Sequence, residues 1–253
     1  MNQRLQHRLL PGSIFVTAAL LVSSTTALVA ESAAAERGKK RGERFTAEFR
    51  LDDCTFVTND DDSPGNPFFP LVPGNQIVLE DDDLHLEITT CLDDGSNCST
   101  NDGTPVPGLY TVALDGIETR VVEERESEGG ELVEISHNFF ARCKENGSVF
   151  YLGEKVEDIE DGEVVGGGGA WEAGVGDAMP GVIMPGIFLL GSRYFQEVAP
   201  GVALDRGENT RMNLDLEFDL VGEGEVEIEG CVEVIETSPL DSKNSQSEKM
   251  YCP

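Results

Sequence analysis

The residues best suited to bind a ligand lie in a Gly-rich segment, 166–201, that has neither helical nor strand periodicity. The candidate ligand-binding residues are Trp171, Glu172, Met184, Tyr194 and Glu197. A tryptophan beside a carboxylate in such a loop can form an apolar wall with one polar anchor. Packing of Trp171 within a turn is the competing interpretation.

Acid–base catalysis is the second chemistry that this segment allows. Glu172 and Glu197 could serve an extracellular hydrolase if their carboxyl groups faced each other about 5–10 Å apart. The sequence has no G-x-S-x-G or H-E-x-x-H motif. His137 lies among apolar residues of a predicted strand and is expected to be a packed or edge histidine, whereas His85 is expected to be exposed. A non-enzymatic protein is therefore favoured, although catalysis stays open.

Clusters of aspartate raise the possibility of calcium. The candidate metal ligands are Asp60, Asp62, Asp81 and Asp83. Calcium takes six to eight oxygen ligands, which clustered carboxylates can supply outside the cell. No D-x-[DN]-x-[DN]-G loop occurs, and neighbouring Asp side chains diverge. Solvated loops are the favoured interpretation, calcium is the alternative, and no other cofactor is predicted.

The six cysteines predict disulfides, because an even number in an exported chain is typical of a disulfide framework. Cys91 and Cys98 flank a short polar loop and are the easiest pair to join. The other four allow three pairings, among which the sequence does not choose. Free structural thiols and a metal site are the alternatives, but no C-x-x-C motif supports zinc.

Residues 1–30 resemble a cleavable secretory signal. A basic start precedes an apolar run, 14–22, and small residues follow with cleavage positions after Ala27, Ala30 or Ala35. A membrane anchor is the alternative, but nine apolar residues are too few for a spanning helix of about 20. We therefore expect a secreted or periplasmic protein without a transmembrane anchor.

The charge of the chain excludes one class of partner. The formal net charge is −30, and removing residues 1–30, which hold two arginines and no acids, leaves 48 acidic against 16 basic side chains, or −32. Binding to nucleic-acid phosphates needs clustered Lys and Arg, so no nucleic-acid partner is expected. The basic stretch at 31–44 is expected to be a disordered linker.

Turn dipeptides divide the middle of the chain into strands. Asp115-Gly116, Gly129-Gly130, Asn146-Gly147 and Asp161-Gly162 tolerate positive φ and predict hairpins. The predicted strands between them are Leu109–Leu114, Ile117–Glu126, Leu132–Lys144 and Val149–Ile159. Sequential strands without helices predict an antiparallel meander, and strands of this length should twist and bend the sheet.

Clean alternation of apolar and acidic residues occurs at 84–88 and in the C-terminal third, at 214–220 and 226–234. Such alternation is typical of a half-buried antiparallel sheet whose acids face water. The segments 63–74 and 166–201 lack it and are expected to cover the apolar face or to line a pocket on it. We predict one all-β domain, 45–253, built as a long-stranded antiparallel meander with a curved sheet or half-barrel and long Gly/Pro-rich covering loops.

A set of motifs in fixed order resembles a family of uncharacterised exported bacterial proteins. They are NPFFPLVPG at 66–74 (family pattern N-P-[YF]-F-P-L-x-P-G), NFFA at 138–141, VFYLGE at 149–154, WEAG at 171–174, PGVIMP at 180–185 (P-G-I-[IL]-M-P), YFQE at 194–197 and APG at 199–201. The resemblance implies export and an all-β fold, and it carries no established activity.

The sequence thus predicts an exported, non-enzymatic binding or envelope-associated β module whose apolar face takes a small apolar or amphipathic ligand. The alternatives are the hydrolase and a calcium-stabilised structural or adhesive module. The oligomeric state is not predicted.

Overall fold

The computed structural model describes residues 8–9, 44–59, 65–80, 83–220, 224–240 and 246–253. The strands, in chain order from β1 to β16, are Arg8–Leu9, Phe56–Val57, Gln76–Glu80, Leu84–Thr90, Leu109–Thr111, Glu118–Glu128, Glu131–Cys143, Val149–Glu160, Glu163–Gly166, Trp171–Glu172, Met179–Met184, Arg193–Phe195, Glu197–Val198, Arg206–Leu220, Gly224–Thr237 and Ser247–Tyr251. One short 3-10 helix spans Leu51–Asp53.

The strands form two sheets. In the large sheet the order is β13-β11-β8-β7-β6-β4-β3, with β2, β5, β9 and β10 paired at its sides. In the small sheet it is β1-β14-β15-β16, with β12 also on β14. Among the described strands only β1 and β14 pair in parallel, and neither sheet closes into a barrel. The predicted all-β, long-stranded antiparallel meander is confirmed.

The predicted turn dipeptides join consecutive strands of the large sheet. Asp115-Gly116 lies between β5 and β6, Gly129-Gly130 between β6 and β7, and Asp161-Gly162 between β8 and β9. At Asp161 and Gly162 the φ angles are +52° and +80°, the conformation of a type I′ turn. This turn matches the twist of the flanking strands, which is why Asp-Gly predicts the hairpin so well.

The two sheets pack face to face. From the large sheet, Val122 and Phe140 belong to the same apolar core as Val232, Val234 and Tyr251 of the small sheet. A second cluster joins Leu79 and Leu86 of β3 and β4 to Phe218 of β14. We call the side of the large sheet that meets the small sheet its inner face and the opposite side its outer face.

The outer face is covered as well. The loop between β4 and β5 crosses it, and the Ser99 N–H donates a hydrogen bond of 2.7 Å to Glu123 on β6. The ring of Tyr110 stacks on Phe139 of β7 with centroids 4.2 Å apart. Both faces are thus covered along much of β6–β8, whereas on β14, where the sequence predicts that the acids face water, Asp215 and Glu217 are exposed as expected.

Three disulfides fix the ends of the chain and one loop. The Cys91–Cys98 bridge is confirmed, and the four remaining cysteines pair as Cys54–Cys143 and Cys231–Cys252. The first of these closes a separation of 89 residues and ties the start of the domain to the end of β7. No described cysteine is free.

The Pro-rich segment 63–74 is held in place by one buried amide. Asn66 Nδ2 donates to the carbonyls of Gly147 (3.0 Å) and Pro185 (3.1 Å), and its Oδ1 accepts from the Phe68 N–H (3.0 Å). Phe69 then packs its ring on Phe140, with centroids 4.9 Å apart. The described part of this segment, from residue 65, thus covers part of the large sheet, as predicted.

Most of the predicted signal and linker lies outside the described residues. Only β1 falls within 1–30, and only Arg44 within 31–44. No helix in the described ranges has the length and apolar character needed to cross a membrane.

Candidate functional site

A cavity of about 90 Å³ lies between the two sheets. Its apolar wall comes from the Pro-rich segment and from β3, β4, β6 and β7. The lining residues are Phe69, Pro70, Asn75, Ile77, Ile88, Thr90, Val122, Glu124, Phe140, Lys249 and Tyr251. Phe69 and Pro70 belong to one of the two segments that the sequence predicts to line a pocket. None of the lining residues comes from 166–201.

The titratable groups of this inter-sheet cavity are Glu124 from the large sheet and Lys249 and Tyr251 from the small sheet. Strand alternation places them there, because Val122 and Glu124 share the inner face of β6, while Lys249 and Tyr251 share one face of β16. Lys249 Nζ forms an ion pair of 2.8 Å with Glu236 on the neighbouring strand β15. The cavity is therefore apolar on its sides and charged along the small sheet.

Burial and mutual repulsion shift the pKa values of these groups. Burial raises the pKa of Glu124, and the nearby carboxylates Glu126 and Glu236 add to the effect against the opposing attraction of Lys249. Burial alone would lower the pKa of Lys249, but Glu236, together with Tyr251 and Glu124, outweighs burial and raises that pKa. Burial, above all, raises the pKa of Tyr251 to about 12. Lys249 is therefore charged and the Tyr251 phenol neutral near pH 7.

A second polar cluster continues along the inner face. The register aligns Val122, Asn138 and Glu154 across β6, β7 and β8, and Trp171 of β10 lies opposite Glu154. The Tyr151 hydroxyl hydrogen-bonds Asn138 Oδ1 and lies 2.9 Å from Glu154 Oε2. A phenol has one proton, so Asn138 Oδ1 and Glu154 Oε2 compete for the Tyr151 hydroxyl hydrogen, and protonation of Glu154 would relieve this competition.

The electrostatics of Glu154 agree with a protonated carboxyl group. Burial raises its pKa to about 7, with Glu124 and Glu134 contributing, although the Tyr151 hydrogen bond opposes the shift. Glu197 is 9% exposed, and burial followed by repulsion from Glu154 raises its pKa to about 8. We call Glu154 and Glu197 the buried acid pair.

A glycine positions Trp171 between the two acids. Gly153 has φ +142°, and a Cβ at this position would lie 2.5 Å from the Trp171 carbonyl oxygen. Only glycine lets β10 approach β8 this closely. The Trp171 ring then meets Tyr151 edge to face at 5.4 Å, and its Nε1 donates to Glu197 Oε1 over 3.3 Å.

The structure brings together only part of the predicted ligand set. Trp171 and Glu197 are in contact, whereas Glu172 accepts hydrogen bonds from the Tyr110 hydroxyl (2.8 Å) and the Ala113 N–H (2.7 Å). Tyr110 lies on the outer face, so Glu172 points away from Glu197. The carboxyl group whose charge acts most strongly on Glu197 is that of Glu154. Catalysis by the buried acid pair would require a substrate to reach Glu197, which is nearly inaccessible.

The two other predicted ligand residues are buried. Met184 is fully buried at the end of β11. Tyr194 is also buried, and its hydroxyl donates a hydrogen bond of 2.9 Å to Asn209 Oδ1. Burial raises the pKa of Tyr194 far above its ordinary value, so its role in the structure is that of a neutral hydrogen-bond donor.

The predicted calcium ligands Asp60, Asp62 and Asp81 lie outside the described residues. Asp83 is exposed, and its carbonyl accepts a hydrogen bond from Gly129. Within the described ranges the single cluster with metal-ligand spacing is Cys54, Cys143 and Glu145. Its two sulfurs form a disulfide and are not thiolates, so this cluster does not suit a metal.

The packed histidine is confirmed. His137 is 3% exposed, and its Nε2 lies 3.0 Å from Glu123 Oε2 on the outer face. His85 is only partly exposed, because Glu80 and Glu87 lie on either side of its ring at 3.2 Å and 3.1 Å. The hydrogen bond to Glu87 has the largest effect on the pKa of His85, and together with Glu80 it outweighs burial and raises that pKa.

Sequence reasoning missed the cavity residues Glu124, Lys249 and Tyr251 and the acid Glu154. The sequence signal for Glu124 is its place between Val122 and Glu126 on one face of a strand. Acids that alternate with apolar residues are more often typical of a solvent-facing surface, so this signal does not predict a cavity. Lys249 could have been noticed as a cation in a very acidic chain. Its pairing with β15 depends on the contact between distant segments, which the sequence does not display.

Comparison with protein-family models, with curated proteins and with solved structures gave no match. The resemblance to an exported bacterial family therefore stays a prediction from its motifs.

Proposed function

We propose that the protein is an exported, non-enzymatic binding module that holds a small amphipathic ligand in the inter-sheet cavity. The supporting observation is the arrangement of the lining, with aromatic and aliphatic side chains along the walls, Glu124 on the large sheet, and Lys249 and Tyr251 on the small sheet. Ligand sites in proteins are typically apolar pockets with a few polar groups that fix orientation.

Three disulfides support the exported part of this proposal. Disulfides persist in oxidising compartments and are rare in most cytosolic proteins. Together with the predicted signal at 1–30, they favour a secreted or periplasmic location. Sequencing the N-terminus of the protein from its own host tests this, and a mature chain beginning after Ala27, Ala30 or Ala35 is the expected result. An intact chain recovered from the cytosol would contradict export.

Native mass spectrometry of the protein purified from its host tests the binding role. We expect a retained small molecule that is lost on unfolding. The matched variant is Ile88→Phe, which adds volume to the cavity wall, with Val164→Phe on the exposed part of β9 as the control. Loss of the molecule from Ile88→Phe alone would support the inter-sheet cavity. Equal retention of the molecule by the unaltered protein and by both variants would mean that it binds outside the inter-sheet cavity and would contradict the proposal.

A further inference from the structure

We propose that the ligand of the inter-sheet cavity carries an ammonium group, which Glu124 binds. This inference rests on the proposed binding function and adds the chemical class of the ligand.

Lys249 is already neutralised. Its Nζ pairs with Glu236 at 2.8 Å, and the two side chains are only 21% and 12% exposed. An ion pair in such a setting is maintained because separating it would leave a charge poorly solvated. Lys249 is therefore not free to bind an anionic ligand without giving up Glu236.

Glu124 is the carboxyl group with open hydrogen-bonding capacity. It lines the cavity, and in the described part of the chain no side chain or backbone N–H donates a hydrogen bond to it. Its electrostatic neighbours are Lys249, Glu126 and Glu236, so two of the three repel a negative charge. A carboxyl group without donors in a cavity is costly to ionise, and a ligand that donates hydrogen bonds to it removes this cost.

An ammonium group on the ligand suits Glu124 better than a hydroxyl or a carboxylate group does. It would add a charge-assisted hydrogen bond, which is about twice as strong as a neutral one. A carboxylate on the ligand would lie beside Glu124 and would have to displace Glu236 from Lys249. Glu126 and Glu134, which face each other further along the inner face, are also acids and offer such a ligand no positive charge.

A calcium ion is less suitable at this position. Calcium needs six to eight oxygen ligands at 2.3–2.6 Å. In the described part of the chain, no three carboxylates near Glu124 bring their oxygens within 4.8 Å of one another. A monovalent organic cation needs only one carboxylate and an apolar wall.

The cavity volume limits what enters. An apolar cavity of 150 Å³ holds the six carbons of benzene, so the 90 Å³ available here suits about four non-hydrogen atoms. A short alkylammonium chain, either free or as the end of a larger molecule, fits this limit. Its alkyl part would contact Ile88, Val122 and Phe140, while its nitrogen would lie at Glu124.

Titration calorimetry with three probes of equal length tests the inference: butylammonium, butanol and butyrate. At pH 8 and 0.3 M NaCl, which screens the acidic surface, we expect butylammonium to bind about tenfold more tightly than butanol, and butyrate to bind least. Glu124→Gln should remove the advantage of butylammonium and leave butanol binding in place. Glu217→Gln, which removes the same charge from the far end of β14, is the matched control and should behave as the unaltered protein.

The outcomes separate the two levels of the proposal. Equal binding of butanol and butylammonium, or preference for butyrate, would overturn the ammonium inference and leave the binding function standing. Binding of butylammonium that survives the cavity-filling Ile88→Phe variant would show adsorption to the acidic surface and would also overturn it. No binding of any probe to the protein would overturn the inter-sheet cavity as the site and the proposed function with it.

Discussion

Trp171 donates its indole Nε1–H to the carboxyl group of Glu197 over 3.3 Å, and both side chains are buried. Trp171 is also the only tryptophan in the chain. The hydrogen bond joins β10 to β13 on the inner face of the large sheet, next to Glu154. A protonation event at Glu197 therefore takes place in direct contact with the one indole of the protein.

The fluorescence of Trp171 should report the titration of Glu197. Because burial and Glu154 raise the pKa of Glu197 to about 8, the emission spectrum should change with a midpoint near pH 8. Glu197→Gln should abolish the change. The control is Glu172→Gln, which neighbours Trp171 in sequence but faces the opposite side of the sheet and should keep the transition. A pH-independent spectrum in the unaltered protein would refute the assignment.

The stability of the protein should decrease as the pH rises from about 5 to 8. In the folded state the pKa of Glu197 is raised to about 8 and the pKa of Glu154 to about 7. In the unfolded state both groups have the ordinary pKa of 4.5 and lose their protons above that pH. Within this window the folded state holds more protons, so raising the pH favours unfolding. The expected loss in the free energy of unfolding is on the order of a few kcal/mol.

Urea unfolding at pH 5, 7 and 9 measures this dependence. Glu197→Gln should flatten the profile and be more stable than the unaltered protein at pH 9, because it removes a charge from the interior. Asp177→Asn, at an exposed loop position, should leave the slope unchanged. Stability that increases from pH 5 to pH 9 would contradict the buried acid pair.

Facing acids on the β14–β15 hairpin should make the protein salt-dependent. The register places Glu217 opposite Glu227 and Asp219 opposite Glu225, and like charges directly opposite destabilise a sheet. Glu227→Lys should raise the free energy of unfolding by roughly 0.5–1 kcal/mol at low salt. Asp177→Lys makes the same charge change away from a facing acid and should gain less. An equal rise in the free energy of unfolding in both variants would mean that the net charge of the protein, and not the facing acids, determines the effect.

Calcium binding can be separated from this screening by melting the protein in CaCl₂ and in NaCl of equal ionic strength. A specific site predicts an additional rise in Tm with calcium that a chelator reverses. General screening predicts equal melting in the two salts. Equal melting would dispose of the calcium-stabilised module as an alternative.

Removing different disulfides should cost different amounts of stability. Cys54–Cys143 closes a separation of 89 residues and Cys91–Cys98 one of 7. Loop entropy predicts a loss of about 4–5 kcal/mol for the first bridge and about 2–3 kcal/mol for the second. Paired Cys→Ser variants compared by urea unfolding test this order. A larger loss from the short loop would show that local packing outweighs chain entropy.

Local signals predicted most of the meander. Strands β6, β7 and β8 begin and end within two residues of their predicted bounds, because Gly129-Gly130 and Asp161-Gly162 determine where the chain reverses. The predicted strand Leu109–Leu114 ends earlier, at Thr111, where the turn through Asp115 begins. The Cys91–Cys98 bridge could be predicted for the same reason, since a mostly polar loop of six residues joins the two cysteines.

Long-range packing was not accessible in this way. Alternation shows that a strand has two different faces, but it does not show that a second sheet covers the acidic one. In the sequence Glu124 and Glu154 therefore resemble solvent-facing acids, although contacts between distant segments partly bury both side chains. Trp171 and Glu197 were correctly included among the candidates, whereas Glu172, next in sequence, lies on the other face because strand neighbours point in opposite directions.

Asn66 has a mechanical consequence for the inter-sheet cavity. Its amide bonds to two loops, at Gly147 and Pro185, while three residues later Phe69 forms part of the cavity wall. Aspartate could not replace it, because a carboxylate would meet two carbonyl oxygens with no hydrogen to offer. The loop that starts at Pro185 exposes Ile187 and Leu189 to solvent, so a displacement of these side chains would reach the cavity wall through the Asn66 amide and through the contact of Phe188 with Phe68.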